Sequence, residues 1–344
     1  ILIEGQIVKS PSTSAAVFVD NAALLAFTEC KYLLNGIEVD QTKNLGISTT
    51  MKYLCSLTPD EIVSLNGAVI GDVQTANLTN DKGEFKICIP LQLILGFAED
   101  YKKILIGARQ ELIFLRSVHD KNVFISNTAN EASQFKINKM SWFIPSISVS
   151  DTARIPLMNI LERDIPITVP FRTWEYHENP AVPQTTYFTW NITSSTQLER
   201  PRYVLFAFQT NKKDNYAANV SNFDHCGVIN MKLYINSEAF PYANLNLDFP
   251  KMHGLAYKLF LDFQRSFYNR DSTPSITYDD YGTSHPIFVI DCSKQNERAK
   301  STVNNIRLEV QTSTSFPDKT SCHCLIIHDR IIEYTPFSNL VRKL

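Results

Sequence analysis

The sequence predicts a mainly β protein, with antiparallel sheets packed as sandwiches and a few short helices in the connections. Three observations carry this expectation. Apolar and polar residues alternate with period two in many short runs, as they do on strands with one buried face. Asn-Gly sits between two such runs, the pair that a two-residue type I′ hairpin prefers. The 344 residues accommodate two sandwiches of ~100 residues or somewhat more.

In chain order, the Asn35-Gly36 turn joins Lys31–Leu34 to Ile37–Val39. Thr58-Pro59-Asp60-Glu61 reads as an N-cap, a proline at N1 and an acid at N3, so a short helix is expected over Pro59–Asn66 with Gly67 as its C′ residue. Asn80-Asp81-Lys82-Gly83 turns the chain into a run where Phe85, Ile87 and Ile89 alternate with Glu84, Lys86 and Cys88. Phe188, Trp190 and Ile192 share one face of the next alternating run, with Thr189, Asn191 and Thr193 opposite. The same pattern predicts strands through Ile229, Met231, Leu233 and Ile235, and through Ile306, Leu308 and Val310. Tyr203–Phe208 and Cys322–Ile327 are nearly continuously apolar, which suits central strands covered on both faces.

Helices are fewer. Over His253–Tyr268, residues Leu255, Ala256, Leu259, Phe260, Phe263 and Phe267 fall on one helical face. A weaker helical turn is expected over Pro156–Arg163, after Ser150-Asp151. The Pro-punctuated stretch at about 145–170 is the expected linker, dividing the chain into units 1–145 and 146–344.

Composition narrows the function classes. Hydrophobic residues make up 44% and charged residues 20% of the chain, which excludes disorder. With 33 Lys+Arg against 35 Asp+Glu, the net charge of −2 argues against a strongly basic nucleic-acid surface. The 7 Cys are scattered, as reduced core thiols in an intracellular folding compartment would be. The sequons at Asn77, Asn191 and Asn219 point weakly the other way, toward secretion. The apolar run at Ile87–Phe97 is broken by Pro90, Gln92 and Gly96 and falls short of the ~18 residues of a spanning helix. The opening residues show no leader pattern, but a chain starting at Ile1 leaves targeting open.

Four clusters invite a chemical reading. Cys322-His323-Cys324 with His328 has metal-ligand letters, yet strand alternation puts His323 on the face opposite the two Cys and no second Cys pair follows. Asp224-His225-Cys226 is contiguous, whereas triads converge in space, so a capping Asp beside a packed Cys is expected. Trp174-Glu175-Tyr176-His177-Glu178 reads as an exposed strand or rim, and Tyr278-Asp279-Asp280-Tyr281 as a solvated loop. The basic end Asn339–Leu344 reads as an exposed tail. No phosphate-binding loop, nucleophile elbow or zinc-protease motif occurs, so no catalytic, cofactor-binding or metal-ligating residues are assigned.

Several phrases carry more than composition can: Asn44–Lys52 (NLGISTTMK), Leu95–Tyr101 (LGFAEDY) after Ile89-Pro90-Leu91, Met140–Pro145 (MSWFIP), Pro201–Val204 (PRYV), Phe206–Asn211 (FAFQTN), Phe223–Cys226 (FDHC), Leu233–Glu238 (LYINSE) and Asp291–Glu297 (DCSKQNE). In this order they resemble the double jelly-roll major capsid proteins of Polinton/Maverick-type and adintovirus-like elements and related animal viruses, from about Asn44 to the end. The resemblance implies two eight-stranded jelly rolls side by side, upright in the shell. It implies a homotrimeric pseudo-hexagonal capsomer that tiles an icosahedral capsid, with no enzymatic activity and no cofactor. The implied partners are further copies of the chain, penton and minor capsid proteins and an internal membrane, without strong direct nucleic-acid binding; the implied location is the virion, assembled inside the host cell. At 344 residues the chain is compact for that lineage, so long tower insertions are not expected. The competing readings are a secreted β-sandwich module that binds carbohydrate or a cell surface, and a hydrolase on a jelly-roll scaffold.

Overall fold

In the computed structural model, among the described residues, strands before residue 142 pair only with one another, and so do those after residue 166. The structure describes residues 1–9, 16–71, 78–126, 133–192, 201–236, 238–295 and 305–344. Asn77 and Thr193 of two sequons, and Asn296 and Glu297 of the DCSKQNE phrase, lie outside them.

The second group shows its topology fully. Strands β9 (Ile167–Asn179), β11 (Pro201–Thr210), β14 (Phe288–Asp291) and β16 (Thr320–Thr335) form one sheet in the order β14-β11-β16-β9. Strand β17 (Leu340–Lys343) pairs with the end of β16. Facing them is a sheet of β10 (Tyr187–Ile192), β12 (Val228–Ile235), β13 (Glu238–Phe240) and β15 (Ile306–Thr312), in the order β10-β15-β12-β13. Counted from β9, the sheets run first-eighth-third-sixth and second-seventh-fourth-fifth. That is jelly-roll order, two interlocked Greek keys.

The first group repeats part of it. Strands β1 (Leu2–Val8), β5 (Glu84–Cys88) and β8 (Gln134–Ser141) pair as β5-β1-β8; β3 (Phe27–Leu34), β4 (Ile37–Lys43) and β6 (Gln110–Arg116) pair as β4-β3-β6. These are the orders sixth-third-eighth and fifth-fourth-seventh. A short pair, β2 (Val17–Phe18) with β7 (Phe124–Ile125), closes one end.

The local chemistry explains most elements. Asn35 (φ 50°) and Gly36 (φ 78°) both take the left-handed conformation that a type I′ turn needs between β3 and β4. Asn80 Oδ1 accepts from the amides of Lys82 and Glu84 and so starts β5. Ile306, Leu308 and Val310 are fully buried, as are Phe85, Ile87 and Ile89. In β12, a bulge between Val228 and Asn230 buries Val228 in place of Ile229, which is only half-buried; Met231, Leu233 and Ile235 keep the expected face. Trp190 is also only half-buried.

The helices depart further from expectation. Helix α3 (Pro59–Ser64) has the complete capping box of Thr58 and Glu61, but it ends at Ser64. Asn66–Ala68 tightens into a 3₁₀ turn closed by Val69 at φ 62°, so Gly67 is not the left-handed residue. The turn expected at Pro156–Arg163 is a longer helix, α6 (Asp151–Glu162), with Pro156 inside it. Helix α7 (Gly254–Tyr268) buries Ala256, Phe260, Phe263 and Gln264, while Leu255 points outward. Tyr278–Thr283 is not a loop but helix α8, capped by Thr277, with Tyr281 fully buried. The C-terminal residues are not a free tail, since β17 pairs with β16 and buries Val341. Helix α2 (Leu45–Ser56) went unpredicted because it is buried on every side and so shows no polar stripe. Short helices α1 (Ala22–Leu25), α4 (Leu91–Ile94) and α5 (Gly96–Asp100) complete the connections. Among the described residues no helix is long and apolar enough to cross a membrane.

Candidate assembly interface

The two sandwiches meet along β9. Helices α2 and α7 follow the fifth strand of their respective sandwiches and pack against each other there. Trp174 does not lie on a rim: it is 3% exposed, edge-on to Phe263 and Phe267 of α7, with Lys52 Nζ of α2 lying 5.0 Å from its ring centroid. Lys52 pairs with Glu99 at 2.7 Å and donates to the Gln92 carbonyl. Tyr268 donates to Glu99 at 2.8 Å and accepts from Ser56 Oγ at 2.9 Å.

Arg172 is the strongest polar link. Its amide and Nε donate to Asp100 Oδ2 at 2.7 and 2.9 Å, and Nη2 lies 2.5 Å from Oδ1. Its guanidinium stacks 4.1 Å above Phe267. Burial works to raise the Asp100 carboxyl, but the hydrogen bonds and charge of Arg172 outweigh it and hold it below the usual range. Close backbone approach makes this geometry reachable. A Cβ on Gly96 would sit 1.9 Å from the Arg172 carbonyl oxygen, so α5 touches β9 only because residue 96 has no side chain.

A second polar group lies further along. Tyr176 is buried, accepting from Asn44 Nδ2 at 2.7 Å and lying 2.7 Å from His323 Nδ1. His323 Nε2 reaches Ser321 and Gln209. Thr173 donates to Asp40 Oδ1, whose other oxygen accepts from the Phe97 amide. The Asn44–Tyr176 and Thr173–Asp40 bonds cross the joint and satisfy buried polar groups there, which favours one relative placement of the sandwiches.

The chemically tempting clusters resolve differently. Cys322 and Cys324 point into the second sandwich and burial pushes both thiols well up, whereas His323 faces the joint and burial lowers it to about 4. Asp224 accepts from the Thr210 amide and pairs with Lys212; His225 instead accepts from the Gly227 amide and stacks on Phe249. Their side chains do not converge. Asp279 and Asp280 form the first turn of α8, where Thr277 caps the helix. One grouping was missed: Glu175 lies 3.2 Å from His177 Nε2 and 3.3 Å from His328 Nε2. Burial would raise its carboxyl, but both imidazoles hold it well below the usual range. The two nitrogens approach different oxygens of the carboxylate, and among the described residues no three His, Cys, Asp or Glu side chains are placed to hold a metal ion. The Glu-x-His spacing on one strand face was the available signal.

Of the 7 Cys, none is in a disulfide; Cys30, Cys55, Cys292, Cys322 and Cys324 are buried, while Cys226 is half-buried and Cys88 exposed. The stretch between the sandwiches carries a run of exposed apolar side chains, including Phe143, Ile147 and Ile155 at 60 to 70% exposure.

A family model described as a double jelly roll-like domain matches residues 16–332. No curated protein sequence matches. Among solved structures, the PBCV-1 virus capsid superposes with a TM-score of 0.54 at 9% identity, covering 99% of this chain and 88% of that one. The Sputnik virophage structure gives 0.52 at 9% identity, covering 100% and 80%. At such identity the likeness concerns the fold, and the fold agrees with the strand orders above. The chain belongs to the double jelly roll-like domain family.

Proposed function

We propose that the chain is a viral major capsid protein, with units 1–145 and 146–344 standing as two jelly rolls in the shell. Three copies give six sandwiches around one axis, a pseudo-hexagonal capsomer suited to tiling an icosahedral capsid. The observation that carries the reading is the joint itself. Arg172 on Asp100, Lys52 over Trp174, Asn44 on Tyr176 and Thr173 on Asp40 tie the second sandwich to the first, as a tile requires and a single-site binding module does not. The two capsid structures above share that paired-sandwich fold.

In this role the residues do mechanical work. Exposed apolar side chains such as Phe143, Ile147 and Ile155 supply contact surface for neighbouring copies, and large obligate interfaces are apolar in this way. The near-neutral net charge permits dense packing of identical copies. Penton and minor capsid proteins, and an internal membrane, would meet this lattice in a virion assembled in the host cell.

Negative-stain microscopy with sedimentation analysis tests the proposal. Trimers or hexagonal capsomers at micromolar concentration are the expected result. A strict monomer at that concentration overturns it.

A further inference from the structure

Both Asn-Gly pairs of the chain follow a leucine, as Leu34-Asn35-Gly36 and Leu65-Asn66-Gly67, so their local chemistry is nearly the same. An asparagine in front of glycine can close on itself: the glycine nitrogen attacks the side-chain carbonyl carbon and an imide ring forms. Glycine favours this step because no β-carbon crowds its nitrogen or restricts the backbone. What separates the two pairs is the fold around them.

Asn35 is held in place. Its Oδ1 accepts from the Arg109 amide at 2.8 Å, and its Nδ2 donates to the Asn339 carbonyl at 3.1 Å. Ring closure there has to break both bonds. Asn66 and Gly67 are exposed instead, and neither the Asn66 side chain nor the Gly67 amide takes part in a hydrogen bond among the described residues. Space around the pair is open, since a β-carbon on Gly67 would meet no atom within 4 Å. Nothing packed against the pair opposes the rotation of Asn66 that ring closure needs.

The turn carrying the pair is nonetheless clamped to the core. The Val69 amide donates to the Asn66 carbonyl at 3.0 Å, and the Val69 carbonyl accepts from the Asn21 amide at 2.6 Å. Val69 itself is fully buried.

We propose that Asn66 is a self-modifying site, which converts through an imide to aspartate and isoaspartate while the fold withholds the same reaction from Asn35. The Gly67 nitrogen bonds to Asn66 Cγ and gives up its proton, the Cγ–Nδ2 bond breaks, and ammonia leaves with that proton. Water then opens the ring at either carbonyl. Opening on one side leaves aspartate; opening on the other leaves isoaspartate, with one more methylene in the main chain inside the clamped turn. Both products carry a new carboxylate. The change is one-way and marks the age of each copy, and it does not depend on the capsid reading.

Peptide mapping by mass spectrometry tests it on the purified 344-residue chain, held in mildly alkaline buffer with and without urea. In the folded chain, residue 66 should gain one mass unit and yield isoaspartate at least ~10-fold faster than residue 35, because two hydrogen bonds must break at Asn35. In urea the two rates should converge. Equal rates in the folded chain, a gap that survives in urea, or conversion of residue 66 to aspartate without isoaspartate overturns the proposal. Gly67→Ala, which the open space accommodates, should slow conversion at residue 66 several-fold. An unchanged rate in that variant rules out the imide route and overturns the proposal.

Discussion

Tyr176 Oη lies 2.7 Å from Nδ1 of His323, on adjacent strands β9 and β16, where the second sandwich meets the first. Burial lowers His323 to about 4 from its ordinary 6.5, so the folded chain holds it neutral. Between those two pH values the unfolded chain binds a proton that the folded chain refuses. This contribution is therefore complete above pH 6.5 and falls away as pH drops toward 4, by about 3 kcal/mol in all. Urea midpoints for the parent chain should fall from pH 7 to pH 5, and His323→Gln should reduce that slope, with His225 and His285, also lowered by burial, supplying the rest. Glu175, held low, adds its own loss only in the acid range below its ordinary 4.5, outside this window. An unchanged slope in the variant would show that His323 does not contribute to it.

Arg172→Ala should cost about 2 kcal/mol, because it leaves the half-buried Asp100 without its partner. Arg172→Lys should recover less than half of that, since an ammonium cannot donate through a planar fork or stack equally on Phe267. Full recovery by lysine would mean that charge alone matters at this position. Thermal unfolding of both variants makes the comparison.

Gly96→Ala should destabilise the joint by about 2 kcal/mol or more, as the new methyl meets the Arg172 backbone rather than a movable side chain. Limited proteolysis should then cut the 142–166 stretch faster. Parent-like stability and cleavage would show that α5 can withdraw from β9 freely.

Core truncations should separate two paired positions on the adjacent strands β10 and β15. Leu308→Ala, fully buried, should cost ~2–5 kcal/mol. Trp190→Ala should cost less than the ~3–5 kcal/mol of a fully buried aromatic, because this side chain is only half-buried. Chemical denaturation with a shared m-value decides the order.

Under native conditions one thiol, Cys88, should react rapidly with a maleimide, and all 7 only after unfolding. Cys226 should lag, as burial raises its thiol to about 12. Rapid labelling of Cys322 or Cys324 would contradict their place inside the second sandwich.

The alternating runs were legible because one face of each strand is buried and the other wet: Phe85, Ile87 and Ile89 behave as read. Turn and cap chemistry was equally local, so Asn35-Gly36 and the Thr58–Glu61 box could be read from neighbouring letters. Trp174 and Tyr176 were misread as a rim because alternation also describes a strand whose second face meets another sandwich. Helix α2 left no trace for a related reason, since burial on all sides erases the periodic contrast.

By itself the sequence determined the fold class, the hairpin and helix signals and, through its recognisable phrases, the family. Those depend on contacts within a few residues or on letters that can be compared directly. Only the tertiary structure decided that Arg172 meets Asp100 and that Tyr176 meets His323. Each of these depends on segments 70 to 150 residues apart being brought side by side, and no local pattern encodes which distant edge a strand will find.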